Sequence, residues 1–282
     1  MTGLMTHCGA DAATLKEVYA VNTPAPVGRW QPLPHHELLG LAKAHLTTGG
    51  YEITEEAHAL RRGGALKCSP DYDREGAQYF GLLSLKKAPV ASSGWSKAPR
   101  TGSADANDYG LTVGLRNAND KGFRAAVALG SRVFVCDNMC FHGEVVIGRK
   151  HTTRILDDLP TLMGDAIDQL VAFRGLQDQR FDCYKNTKID TGTVHDIVIR
   201  ALDAGAISAN KIPAVLEEWR EPKLDEWKDE PRTAWRLHNT FSEVWKNVGR
   251  IGPVWNLGDK SRALHSVLDE HCGADLPTLL AN

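Results

Sequence analysis

Three sets of residues in this 282-residue chain have side chains capable of chemistry. Cys136, Cys140, His142 and His151 combine thiolates with imidazoles, the usual tetrahedral zinc donors. Their spacing, C-x3-C-x-H-x8-H, fits no standard zinc class, and cysteine is among the most buried residue types, so two core thiols and two bonded histidines are the preferred reading. Cys136 is also a formal nucleophile, with Arg132 as a nearby cation and His142, His151 or His195 as base, but no nucleophile turn surrounds it. Asp157, Asp158, Asp165 and Asp168 offer carboxylates for a divalent cation, yet they sit where an amphipathic helix shows its solvated face. No dinucleotide, Walker, zinc-protease or hydrolase-elbow motif is present. The reading assigns no catalytic residue, no metal and no cofactor.

The fourth set is electrostatic. Between residues 109 and 154 seven basic residues, Arg116, Lys121, Arg124, Arg132, Arg149, Lys150 and Arg154, face three acidic ones, Asp120, Asp137 and Glu144. Tyr109, Phe123, Phe134 and Phe141 are interleaved with them. Cations beside aromatic faces are what single-strand binding uses: charge for the phosphates, rings for the bases. The candidate nucleic-acid site is Arg116, Asn117, Lys121, Arg124, Arg132, Phe134, Arg149, Lys150, His151 and Arg154.

The elements that must position these residues follow from periodicity. Residues 109–150 alternate in the manner of strands and are broken by Asn, Asp and Gly at 117–120, 130–131, 137–138 and 148, which predicts an antiparallel meander. Alternation would place Arg132, Phe134 and Cys136 on one face. Upstream, Leu38, Leu39, Leu41, Ala42 and Leu46 form a helical stripe stopped at Gly49 and Gly50. Residues 51–66 carry both strand and helix signals, and residues 78–87 read as a strand beyond a turn at 69–71. Residues 88–107 read as a long loop.

From residue 155 the period lengthens to that of a helix, with further helices expected at 194–204, 211–220 and 233–248 and a charged connector at 217–232. The tryptophans Trp219, Trp227, Trp235 and Trp245 suit a core or an oligomer contact. The fold expected is α+β, with an antiparallel strand meander and flanking helices in the N-terminal half and a mostly helical C-terminal half. The expected division is an arm over 1–34, rich in proline, a strand-rich domain over 35–175 and a helical region over 176–282.

Composition narrows the function classes. With 42% hydrophobic and 24% charged residues the chain folds without staples. Six scattered cysteines form no disulfide framework, and neither a signal segment nor a run of eighteen apolar residues occurs. A cytoplasmic protein with no membrane contact is expected. A net charge of −2 argues against coating duplex DNA by bulk electrostatics, so a nucleic-acid site has to be local.

Residues 114–124 (GLRNANDKGFR), 129–138 (LGSRVFVCDN), 149–152 (RKHT) and 233–240 (TAWRLHNT) resemble the phage/plasmid-like protein family. Arg116, Asn117, Asp120, Arg132, Asp137, Asn138, Lys150 and His151 match its motifs, with Ala118 where a serine is frequent. The resemblance implies origin in a phage or other mobile element and assigns no chemistry. The leading expectation is a protein that binds single-stranded DNA, as in annealing recombination, within a homo-oligomer. The alternatives are a counter-defence protein that inhibits a host protein, for which the acidic connector over residues 225–230 is suited, and a metal-dependent nucleic-acid enzyme.

Overall fold

The computed structural model describes residues 10–63, 74–87, 109–133, 138–140, 146–246, 255–274 and 276. The expected α+β fold is what it shows. Strands β1 (Asp11–Ala13), β2 (Tyr51–Arg61), β3 (Gln78–Lys87), β4 (Tyr109–Ala118) and β5 (Ala125–Val133) lie side by side in chain order, each antiparallel to the next. β6 (Asn138–Cys140) and β7 (Val146–Arg149) both pair with the outer edge of β5.

Alternation along β4 divides the sheet into two faces. Leu111, Val113, Leu115 and Asn117 point one way, Thr112, Gly114 and Arg116 the other. Helices α2 (His35–Thr48) and α3 (Ile155–Asn186) cover the first face. Leu38, Leu39 and Leu46 from α2 and Met163, Leu170 and Phe173 from α3 pack there against Tyr79, Leu83, Val113 and Leu129. Each buried leucine or phenylalanine contributes about 1.5 to 3 kcal/mol by leaving water.

One sequence expectation needs correction, and two others gain detail. The segment over 1–34 is more than an arm. It contains β1, a short helix α1 (Leu15–Ala20) closed by a Thr14/Glu17 capping box, and a tight turn that bridges Val27 to Trp30 around Gly28, whose φ is +60°. The ambiguous run from residue 51 is a strand through Arg61, because pairing with β3 outweighs the helix preference of Glu55, Glu56 and Ala57. Gly130 and Ser131, read as a turn, lie inside β5 opposite Thr112 and Leu111, where the ladder overrides local turn preference. The expected turn at 69–71 and the loop at 88–107 lie outside the described residues.

The C-terminal half packs α4 (Thr191–Asp203), α5 (Ile212–Arg220), α6 (Ala234–Lys246) and α7 (Trp255–Cys272) around a second core. Trp219, Trp227, Trp235 and Trp245 are all part of that core. The boundary drawn at residue 175 falls within α3, which gives Phe173 to the first core and Phe181 and Tyr184 to the second. Among the described residues no helix is long and apolar enough to cross a membrane.

Candidate nucleic-acid interface

The hairpin joining β4 to β5 organises one end of the sheet. Asp120 closes it, accepting the Gly122 amide at 2.8 Å and the Gln78 side-chain amide at 2.6 Å. Lys121 then takes φ +63°, the left-handed region that non-glycine residues enter rarely. This places its Nζ 4.9 Å from the centre of the Trp30 ring. Such a contact is worth about 0.5 to 1 kcal/mol at an exposed site.

Trp30 is held from below and from the side. Its backbone bridges to Val27 and, across the chain, to Thr152, while Gln31 donates to the His151 carbonyl at 3.3 Å. The partly buried ring, packed on Ala77, therefore stands between Lys121 and the segment that carries Lys150 and Arg154. Arg29 precedes it and is exposed.

Arg149 and Arg154 share one carboxylate. Asp158, in the first turn of α3, is ion-paired with Arg149 and lies 3.7 Å from Arg154, whose side chain is 76% exposed. Arg124, also exposed, lies across the backbone of Gly148, where an added Cβ would fall 2.6 Å from the Arg124 Nε. Exposed Arg29, Lys121, Arg149, Lys150 and Arg154 thus form a rim carried by the segments that meet at Trp30, with Asp120, Asp157 and Asp158 as its acids, while Arg124 lies on the Arg116 face of the sheet.

The remaining expected site residues lie elsewhere. Asn117 and His151 are buried beneath the rim, in a relay whose tautomers are set by the acceptors. His35 Nε2 donates to the Gly76 carbonyl at 2.8 Å, so its Nδ1 accepts from Asn117 Nδ2 at 2.9 Å. The Asn117 amide also donates to the Leu33 carbonyl, and its Oδ1 accepts from His151 Nε2 at 2.7 Å. Asn119 Oδ1 accepts from the Leu33 amide at 3.2 Å. Burial pushes both histidines down to about 4, so they are neutral near pH 7.

Arg116, expected as a surface cation, is 8% exposed and points to the opposite face of the sheet from Asn117. There its guanidinium lies 5.4 Å from the centre of the Phe123 ring, Phe123 tilts against Phe80 at 5.7 Å, and Arg61 covers Phe80 at 5.8 Å. Burial first, and Arg124 second, lower the Arg116 guanidinium to about 9. Consecutive residues of a strand cannot serve one surface, and this splits the expected site. Arg132 lies in β5 opposite Gly110 and Met139, and Phe134, Cys136 and His142 lie outside the described residues.

Sequence reasoning missed Arg29 and Trp30, although the run Val27, Gly28, Arg29, Trp30 is a turn signature that could have placed an aromatic at a chain reversal. It also missed His35 and Asn119, which hold the arm against β4. His195 is exposed on α4, away from this cluster in the chain. Among the described residues no group of three or more His, Cys, Asp or Glu is arranged to hold a metal ion, and Asp158 is engaged by arginines. No family model matches the chain, and no curated protein or solved structure matches it either.

Proposed function

We propose that the protein binds single-stranded nucleic acid along the rim around Trp30. The reading rests on one observation: Lys121 is held in a left-handed conformation over a partly buried tryptophan that is bridged to Thr152, between Lys150 and Arg154. The ring supplies a face for one base, and Arg29, Lys121, Lys150 and Arg154 supply phosphate contacts on either side of it. A strand meander followed by a helix is broadly like the core of single-strand annealing proteins, a fold-level analogy from which annealing of complementary strands is the activity proposed.

The test is fluorescence anisotropy with single- and double-stranded oligonucleotides over a salt series. Single strands should bind more tightly, with affinity falling steeply as salt rises. Trp30→Ala should weaken binding by roughly tenfold, the scale of one lost base stack. Lys150→Ala should lower the salt slope by about 0.7, the share of one phosphate contact on a single strand. Binding unaffected by both substitutions, or no binding at low salt, rejects the proposal.

A further inference from the structure

The C-terminal ends of α3 and α7 meet in a fixed register. Arg180, Cys183 and Tyr184 recur at helical spacing along one face of α3, as His265, Asp269 and Cys272 do along α7. Arg180 and Tyr184 both hold Asp269, and the Tyr184 hydroxyl also reaches the His265 carbonyl at 3.4 Å. The same register brings two cysteines together. The Cys183 thiol donates to the Cys272 carbonyl at 3.2 Å, and the two thiols interact with each other. Both are free and partly exposed. Among the described residues no group of three donors that could hold a metal ion includes them, so the chemistry open to the pair is with each other. Cys183 lies in the last turn of α3 and Cys272 is the last residue of α7, where the backbone has helix on one side only and can adjust.

We propose that Cys183 and Cys272 form a reversible disulfide that locks α3 to α7 when the protein meets a low-molecular-weight disulfide such as oxidised glutathione. The Cys183 thiolate attacks one sulfur of the reagent, whose S–S bond breaks, so that one thiolate leaves and a mixed disulfide remains on Cys183. The Cys272 thiolate then attacks the Cys183 sulfur and expels the second thiolate. Two protein thiols have given up their protons, two leaving thiolates have taken protons up, and two electrons have passed from the protein to the reagent. Burial above all pushes the Cys272 thiol up to about 11, which makes it a poor first nucleophile, and its contact with Cys183 makes the second attack intramolecular. The link joins residues 89 apart and encloses α4, α5 and α6, so it removes freedom from the unfolded chain. A pair of this kind in a reducing compartment closes only when the surroundings turn oxidising. It takes no part in the binding proposed at Trp30.

The experiment equilibrates the full chain with reduced and oxidised glutathione over a range of ratios, blocks free thiols by alkylation, and maps the digest by mass spectrometry. Thermal unfolding is followed on the same samples. Peptides linked through Cys183 and Cys272 should appear at oxidising ratios and vanish with dithiothreitol. The oxidised chain should unfold on the order of 5 °C higher than the reduced one. Cys272→Ser should lose both the linked peptides and the shift, and the map of the unsubstituted chain decides the pairing even if this variant fails to fold. No linked peptide at the most oxidising ratio overturns the proposal, as does preferred pairing of either residue with another cysteine. So does a link that dithiothreitol leaves intact, or one that brings no rise in the unfolding midpoint.

Discussion

Asn117 Oδ1 accepts a hydrogen bond from His151 Nε2 at 2.7 Å, and this contact joins the C-terminal end of β4 to the segment leading into α3. The same amide reaches Leu33 and His35, so one fully buried side chain ties three parts of the chain together. Asn117→Leu removes its donors and acceptor and leaves buried partners without theirs, at about 1 to 3 kcal/mol for each group orphaned. Urea unfolding should show a loss of at least 2 kcal/mol, on the order expected for a broken buried network. A change within 0.5 kcal/mol, the usual surface effect, would mean the network contributes little.

Acid should weaken the fold before any carboxylate needs to titrate. His35 and His151 have folded values near 4, and His238, buried beside Arg180, near 3, against 6.5 for an open imidazole. Between those values the unfolded chain binds more protons than the folded one, so stability falls as pH drops from 6.5 towards 4 and is level above 6.5. Each of the first two contributes up to about 3 kcal/mol to that fall. His151→Gln keeps an amide donor for Asn117 and should flatten the slope of urea midpoint against pH. An unchanged slope in this variant would remove His151 from the account.

Lys121 sets a conformational cost against a binding gain. Glycine adopts φ +63° without the steric penalty a Cβ brings, about 1 kcal/mol, while the lost contact with Trp30 is worth about 0.5 to 1 kcal/mol. Lys121→Gly should therefore unfold at an equal or slightly higher urea concentration and yet bind single-stranded oligonucleotides more weakly. Equal affinity would take Lys121 out of the proposed interface.

The second core contains a charged clasp. Arg180 on α3 grips Asp269 on α7 through two nitrogens at 2.9 to 3.1 Å, and the Tyr184 hydroxyl donates to the same carboxylate at 2.6 Å. Burial and the Asp269 charge drive the Tyr184 hydroxyl well above its ordinary range, so it remains a donor. Asp269→Ala strands a nearly buried guanidinium, and a loss of about 3 kcal/mol is expected in thermal or urea unfolding.

Gln177 presents the reverse case. Its side chain is fully buried on α3, and among the described residues neither amide atom has a hydrogen-bond partner. An unsatisfied buried amide costs about 1 to 3 kcal/mol. Gln177→Met keeps the length of the side chain without its polarity, and should raise the unfolding midpoint. A lowered midpoint would show that the amide is satisfied in solution by water.

The meander and the helices were legible because strand alternation over 109–118 and the leucine stripe of α2 are local signals that tertiary packing reinforces. The cationic rim was legible only as charge in sequence. Its geometry depends on Trp30 meeting Thr152 more than a hundred residues away, which no spacing reveals. Arg116 entered the expected site for its charge and Asn117 through the family resemblance, although the pleat sends these neighbours to opposite faces. The helix at Trp255–Cys272 escaped because its polar side chains include Ser261 and His265, which are buried, so no clean apolar stripe marks it.

The 32-residue helix α3 seats Met163 and Phe173 in one core and Phe181 and Tyr184 in the other. At 1.5 Å per residue it spans about 48 Å of continuous helix, Pro160 included, so a cut between Phe173 and Phe181 separates the two cores' shares of one element. The halves of this protein are therefore poor candidates for separate expression or exchange between chains, and a protease that nicks α3 would release two fragments with incomplete interiors.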